Sequence, residues 1–412
     1  MRFAADLHLH SRYSSALSPA MTVENIARWA QRKGIDLLGT GDCLQADWLG
    51  EIEAALEEVG PGWFKLKEEL VDKAAAGLPA GLRRDLRFVL STEVSCAPAG
   101  TPRLGGVHCL IYFPSIESAR RFRTKVEPYG DLREGRPELA LTPRQLLQLV
   151  LDHDPACHFA PAHVFNPWYS ALGSVSGSLT LDDVFGDLTS RMLAVETGIT
   201  STPAMCRRVT SIDRHALFSC SDAHSLENLG RECTVLEIEP TYAALFAALW
   251  GGSSAQVIRT VKFPLVRWRD YLNRCGVCQQ SYEGANCPVC RRALVVGARD
   301  RLQVIATRAK PLYPDNSPPF CEFLPLAYLL GELSGHPQEG VQVKRMQERM
   351  LSAGHERYLL TEASRAEIES VSSPGVAKAI FEQREGHYDF TAGMKKKEKP
   401  PEPVVQQTGF GF

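Results

Sequence analysis

Nowhere in the 412 residues is there an apolar run of about 18 residues, so no stretch reads as a membrane-spanning helix. The opening MRFAADLHLH lacks a basic stretch followed by an apolar one, so a cytoplasmic protein is expected. Internal repeats of roughly 20 to 50 residues are missing, which excludes solenoids and propellers. Net charge is nearly lacking too, at −2, and does not mark the chain as a whole as a nucleic-acid binder. A hydrophobic fraction of 44% and a charged fraction of 23% exclude collagen-like or largely disordered sequences. At this length two or three domains are expected.

Cysteine, by contrast, is plentiful, with twelve residues. A disulfide framework suits short secreted chains. Here Cys275, Cys278, Cys287 and Cys290 form two CxxC units, while the other eight lie mostly in apolar runs, where a free cysteine acts as a small hydrophobe. Charge is also unevenly spread. Residues 259–310 carry eleven Lys and Arg against Asp270, Glu283 and Asp300, so a basic patch sits on an acidic body.

From residue 2 to about 250, short apolar runs alternate with helical patterns, as in a parallel sheet with crossover helices. Strands are expected at 3–9, 36–40, 87–92, 107–113, 157–162, 192–196 and 216–220, and helices at 23–33, 51–76, 143–153 and 242–250. The boundaries that follow are 1–254 for an α/β catalytic barrel, 255–310 for a cysteine-bearing module, 311–390 for a mostly helical region and 391–412 for a disordered tail.

Chemistry-bearing residues fall at the ends of these strands, where parallel barrels build their active sites. In Asp6-Leu7-His8-Leu9-His10 the period of two puts Asp6, His8 and His10 on one face. Later strand ends supply Asp42 in GTGDC, Glu93 in STEVS, His108 in GGVHC, His163 in PAHVF, and Asp222 with His224 in CSDAHS. Imidazoles and carboxylates in this mixture suit a polynuclear site for borderline divalent metals. No arrangement at these strand ends resembles an activated serine or cysteine. Two metals about 3.5 to 4 Å apart can activate a shared water and clamp both oxygens of an in-line displacement.

The order HxH, GxGD, strand-end Glu, two separated strand-end His, then DxH resembles the PHP superfamily, whose members have a (β/α)7 barrel. That resemblance implies that His8, His10, Glu93 and Asp222 hold one metal, that Glu93 bridges to a second held by His108 and His163, and that His224 serves a third position with help from Asp42. Many members carry a further His after HxH and an Asp-His pair in the second motif, where Ala16 and Cys43 stand here. Two or three catalytic divalent ions, zinc, manganese or magnesium, are therefore expected.

Cys275-x2-Cys278 and Cys287-x2-Cys290 can close a tetrahedron with no open position, so this zinc is expected to be structural. Together with the strings LHLHSRYS, LLGTGD, PAHVFNPWYSALGS, CSDAHS and PPFCEFLPL, the barrel, ribbon and helical region resemble the endonuclease Q family. The resemblance implies a nick 5′ to a deaminated base such as uracil or hypoxanthine, or to an abasic site, in double- or single-stranded DNA, leaving 3′-hydroxyl and 5′-phosphate ends.

Around that site, Arg12 beyond His10 is a candidate phosphate contact, and Asn166, Trp168 and Tyr169 after His163 are candidates for holding a flipped base. Arg274, Arg291 and Arg292 flank the ribbon as possible backbone contacts. Residues 361–386 resemble a helix-hairpin-helix, with Gly375 at its turn. The final QQTGFGF resembles a sliding-clamp-binding peptide through Gln407, Phe410 and Phe412. Two rival readings stay open: a PHP-type phosphatase of a small phosphate ester, and a non-catalytic DNA-binding scaffold.

Overall fold

A computed structural model describes residues 1–14, 18–97, 106–192, 194–250, 256–314 and 317–392. The boundary at 254/255, Ala16, and the tail residues Gln407, Phe410 and Phe412 lie outside the described residues. The fold is mixed α/β. Seven strands occupy the expected stretches: β1 (Arg2–Asp6), β2 (Leu37–Gly39), β3 (Arg87–Cys96), β4 (Val107–Phe113), β5 (His158–Pro161), β6 (Ala194–Glu196) and β7 (Ala216–Phe218).

Strand β1 pairs in parallel with β2, β2 with β3, and β6 with β7. Val164 N donates to Glu196 O at 3.0 Å, and a Leu9–Ala223 bridge links the chain beyond β1 to that beyond β7, so the succession of neighbours returns to its start. Ala5, Leu37, Val89, Leu110, Ala160, Ala194 and Phe218, one from each strand, meet in one buried cluster. The alternate residues Leu38, Phe88, Ile111, Phe159, Val195 and Leu217 face the helices, which is the period of two at work.

Two expectations are corrected. Strand β4 runs antiparallel to both β3 and β5 instead of parallel. Only ten residues separate Cys96 from Val107, and a parallel return needs a crossover of about a dozen or more. The segment 51–76 is not one helix: Ala46–Ala55 and Glu68–Ala75 are helical, and Leu56–Gly60 with Trp63–Leu66 form an antiparallel hairpin between them. Gly60-Pro61-Gly62 breaks the helix there.

The sheet continues outward through β8 (Cys233–Glu237), β9 (Val257–Lys262) and β10 (Phe320–Glu322), so the chain after the cysteine module is stitched to the first strand. Helices α2 (Leu326–Ser334), α3 (Val341–Leu351), α4 (Glu356–Thr361), α5 (Arg365–Val371) and α6 (Pro374–Arg384) complete it. They lock onto α1 (Val23–Lys33): Lys33 Nζ donates to both Glu356 oxygens at 3.0 and 2.9 Å, and Glu356 Oε1 also accepts from Leu326 N. Among the described residues no helix is long and apolar enough to cross a membrane.

Lys33 and Glu356 are almost fully buried, with side chains 4% and 6% exposed. Glu356→Ala strands a buried ammonium and should lower stability by about 3 to 5 kcal/mol, whereas Glu348→Ala, which removes the surface partner of Arg32, should cost under about 1 kcal/mol. Denaturant unfolding of both variants checks the contrast.

Candidate metal centre

The polar residues gather at one end of the strand ring because the chain delivers each of them there by a different route. His8 and His10 follow β1, Asp42 follows β2, and Glu93 lies near the end of β3. His108 stands at the start of β4, and the reversed direction of that strand brings its first residues to the same end. His163 follows β5, Glu196 ends β6, and Asp222 follows β7. Gly41, at φ +63°, lets the second motif lie against the first: a Cβ there would sit 2.2 Å from Leu9 O.

Among the described residues, potential ligands form three groups: His8, His10, Glu93 and Asp222; Glu93, His108 and His163; and the four cysteines. Glu93 belongs to two of them. Its Oε1 lies 2.9 Å from His108 Nδ1 and 2.9 Å from His163 Nε2, and its Oε2 lies 3.2 Å from His10 Nε2. Asp222 Oδ1 lies 3.5 Å from His8 Nε2 and 3.3 Å from His10 Nε2.

His8 Nε2, His10 Nε2 and Asp222 Oδ1 are buried without a hydrogen-bond partner. Polar atoms seldom go unpaired at such depth. A tetrahedral ion with bonds of about 2.0 to 2.1 Å has edges of about 3.3 to 3.4 Å, close to the separations seen. The donor set of the first group therefore fits a divalent metal, and the second group offers one carboxylate and two imidazoles of the same chemistry.

A second tier of acceptors orients the rings. Both Glu196 oxygens lie 3.1 Å from His8 Nδ1, and Oε2 also accepts from His163 N at 2.8 Å. Asp42 Oδ1 lies 2.9 Å from His10 Nδ1, while its Oδ2 accepts from Ser11 N, Ser11 Oγ and Ser14 Oγ. Such acceptors fix the tautomer that presents Nε2 to an ion. Burial opposes ionisation of Asp42, but His10 and the Ser11 donors hold its carboxyl below the usual range. Burial pushes His108 down to about 4 despite Glu93, which leaves a neutral ring able to ligate.

Asp42, His163 and Asp222 adopt positive φ of 47°, 28° and 47°. Three strained backbones meeting at one point mark a place where surrounding structure enforces a geometry. His224 stands apart from the ligand groups. Its Nδ1 lies 2.9 Å from Asp222 O, its ring packs 4.5 Å from that of His10, and its side chain is 41% exposed.

No protein-family model matches the chain. The protein YqxK of Bacillus subtilis is 25% identical over 405 residues, covering 94% of this chain and 96% of the relative. The crystal structure of the lesion-specific endonuclease PfuEndoQ from Pyrococcus furiosus superposes with a TM-score of 0.79 at 29% identity, covering 94% of this chain and 91% of that one. An endonuclease Q in complex with a 27-mer duplex substrate, with an abasic lesion at the active site, superposes at 0.81 and 28% identity, covering 94% and 92%. Along nearly its whole length the chain is similar to the endonuclease Q nucleases. It is a nuclease on that ground.

In this endonuclease Q relative the four thiols stand as a zinc site requires. Cys275 and Cys290 sulfurs are 3.5 Å apart and those of Cys278 and Cys287 are 3.8 Å apart, near the edge of about 3.8 Å expected for bonds of about 2.3 Å. The Cys278 amide donates to Cys275 Sγ at 3.3 Å and pushes that thiol down to about 6. Gln279 and Arg291, each following the second cysteine of its pair, share positive φ of 57° and 63°.

The ribbon docks on the loop after His163. Trp168 Nε1 donates to Asp270 at 3.4 Å, its ring lies against Gly276, and Arg301 Nε donates to Leu172 O at 3.0 Å. Asn166 Oδ1 accepts from the Trp168 and Tyr169 amides, and Tyr169 stacks on His108 at 4.9 Å. Arg274 pairs with Asp270, and Arg12 with Glu51. Arg291 and Arg292 are exposed with no ion pair among the described residues. Gly375 is exposed in the first turn of α6, where Ser373 caps the helix.

Sequence reasoning overlooked Glu196, Ser11, Ser14 and Arg136. Glu196 carried the signal of its peers, a carboxylate closing an apolar strand in LAVETG. Glu196→Gln should weaken divalent-metal affinity by about 10- to 100-fold, read by metal titration calorimetry. Cys287→Ser should abolish zinc binding by the four-cysteine group and lower the thermal midpoint, checked by elemental analysis after zinc loading beside a melting curve.

Proposed function

We propose that this chain is a metal-dependent DNA endonuclease that hydrolyses the phosphodiester 5′ to a deaminated base or abasic site, leaving 3′-hydroxyl and 5′-phosphate. The observation that carries the reading is Glu93, one buried carboxylate shared by two ligand groups, in a chain that superposes along its length on a nuclease holding an abasic duplex. The strand ring is read as a PHP-type (β/α)7 barrel spanning 1–254, with a zinc ribbon at 255–310 and a helical region at 311–390.

Bound ions would lower the pKa of a shared water and clamp the attacking and leaving oxygens. The protein's own residues do the rest. His8, His10, Glu93 and Asp222 would hold one ion, and Glu93, His108 and His163 the other. Glu196 and Asp42 keep His8 and His10 in the ligating tautomer. His224, partly exposed above His10, stands where it can meet substrate. The ribbon, anchored beside the mouth through Trp168, brings Arg291 and Arg292 to the phosphate backbone. The candidate clamp peptide remains a proposal from sequence.

Labelled duplexes with uracil, hypoxanthine or an abasic site, incubated with manganese, magnesium or zinc, test this directly. Nicks on the 5′ side of the lesion, with ligatable ends after base restoration, are expected. Cleavage of undamaged duplex at the same rate would contradict it. Asp222→Ala should reduce cleavage by at least about 10³-fold while equilibrium DNA affinity stays within a few-fold, because the basic surface lies elsewhere.

A further inference from the structure

Arg136 has no task in the mechanism above, yet its Nη1 lies 3.3 Å from Glu93 Oε2. The backbone on either side of it is fixed. Gly135 N donates to Tyr13 O at 2.9 Å, Pro137 O accepts from Ser95 N at 2.9 Å, and Glu138–Leu139 pair in parallel with Ser95 and Cys96, just beyond Glu93. Gly135 passes so near the centre that a Cβ there would lie 2.5 Å from both Asp42 Oδ2 and Ser14 Oγ. Only glycine permits this approach, and the next residue is thereby delivered to the rim. The Arg136 side chain is 32% exposed beside a carboxylate that is 1% exposed, so the guanidinium opens towards the mouth.

We propose that Arg136 binds the scissile phosphate, turning its guanidinium from Glu93 to the non-bridging oxygens of the phosphodiester. The inference rests on the nuclease reading. A carboxylate shared by two divalent ions has its lone pairs committed and its charge more than compensated, so it loses its attraction for a neighbouring cation. With the backbone held, the guanidinium stays at the rim, where the incoming phosphate is the next anion. Its planar fork matches two phosphate oxygens, which a lysine ammonium does not. During hydrolysis the water oxygen bonds to phosphorus as the bond to the 3′ oxygen breaks. The 3′ oxygen takes up a proton, and Arg136 stays charged throughout while stabilising the added charge on phosphorus.

Arg136→Ala and Arg136→Lys, prepared with wild type and compared for thermal midpoint and metal content, provide the test. Single-turnover cleavage of an abasic duplex should fall about 10²- to 10³-fold in Arg136→Ala and less in Arg136→Lys, with bound metal unchanged. A second readout needs no turnover: affinity for a duplex already nicked at the cut site, with and without its terminal 5′-phosphate. Wild type should prefer the phosphorylated form by about tenfold, and Arg136→Ala should lose that preference. Unchanged rate and preference in Arg136→Ala overturn the inference, as does loss of metal in proportion to activity, which would make Arg136 a support of the centre. Failure of wild type to cut any lesion duplex with any of the metals would instead overturn the nuclease reading itself.

Discussion

A single buried carboxylate organises this molecule. Glu93 is 1% exposed, and four imidazoles, those of His8, His10, His108 and His163, close on its two oxygens from three other strands. An ionised carboxylate at that depth is costly unless it is compensated. Burial works against its charge, and the surrounding imidazoles, His108 and His8 foremost, hold it well below the usual carboxylate range. The register of β1, β4 and β5 around β3 is therefore tied to one charge, and the same charge is common to two groups of potential metal ligands.

What surrounds this carboxylate is a network in which almost every polar atom is accounted for. Glu196 and Asp42 occupy the outward nitrogens of His8 and His10, and Asp42 spends its other oxygen on Ser11 and Ser14. Among the buried atoms without a partner in the described residues are His8 Nε2, His10 Nε2 and Asp222 Oδ1, and Asp222 Oδ1 lies 3.5 and 3.3 Å from the two ring nitrogens. Such a cluster of unpaired ligand atoms in a buried polar network is what a site able to hold a divalent ion presents. Behind the network, the buried Lys262–Glu232 pair reaches Thr197 and Gly198, the residues that follow Glu196.

Much of this was legible in the sequence because period and position carry it. The HxH repeat puts two rings on one strand face whatever else the chain does, and CxxC spacing reports a tetrahedron locally. All seven strands stood on the apolar runs. The direction of β4 was not legible from such runs, since a strand reads the same either way; only the ten residues between Cys96 and Val107 held that information. The hairpin at 56–66 was hidden by residues acceptable to helix on either side of Gly60-Pro61-Gly62. Arg136 was invisible for a different reason. It lies on an irregular connection whose path is set by contacts with Asp42, Ser14 and Ser95, all distant in sequence.

The claim on which the account turns is that Glu93 joins two metal positions into one centre. Metal content per chain, measured by elemental mass spectrometry on the purified protein and on Glu93→Gln after dialysis against excess metal and removal of the surplus, tests it most directly. Three ions per chain are expected in the wild type, falling to one, the ribbon's zinc, in the variant, with both catalytic ions lost together. Retention of a full complement by Glu93→Gln, or loss of one catalytic ion with the other undisturbed, would contradict a shared carboxylate at the heart of the site.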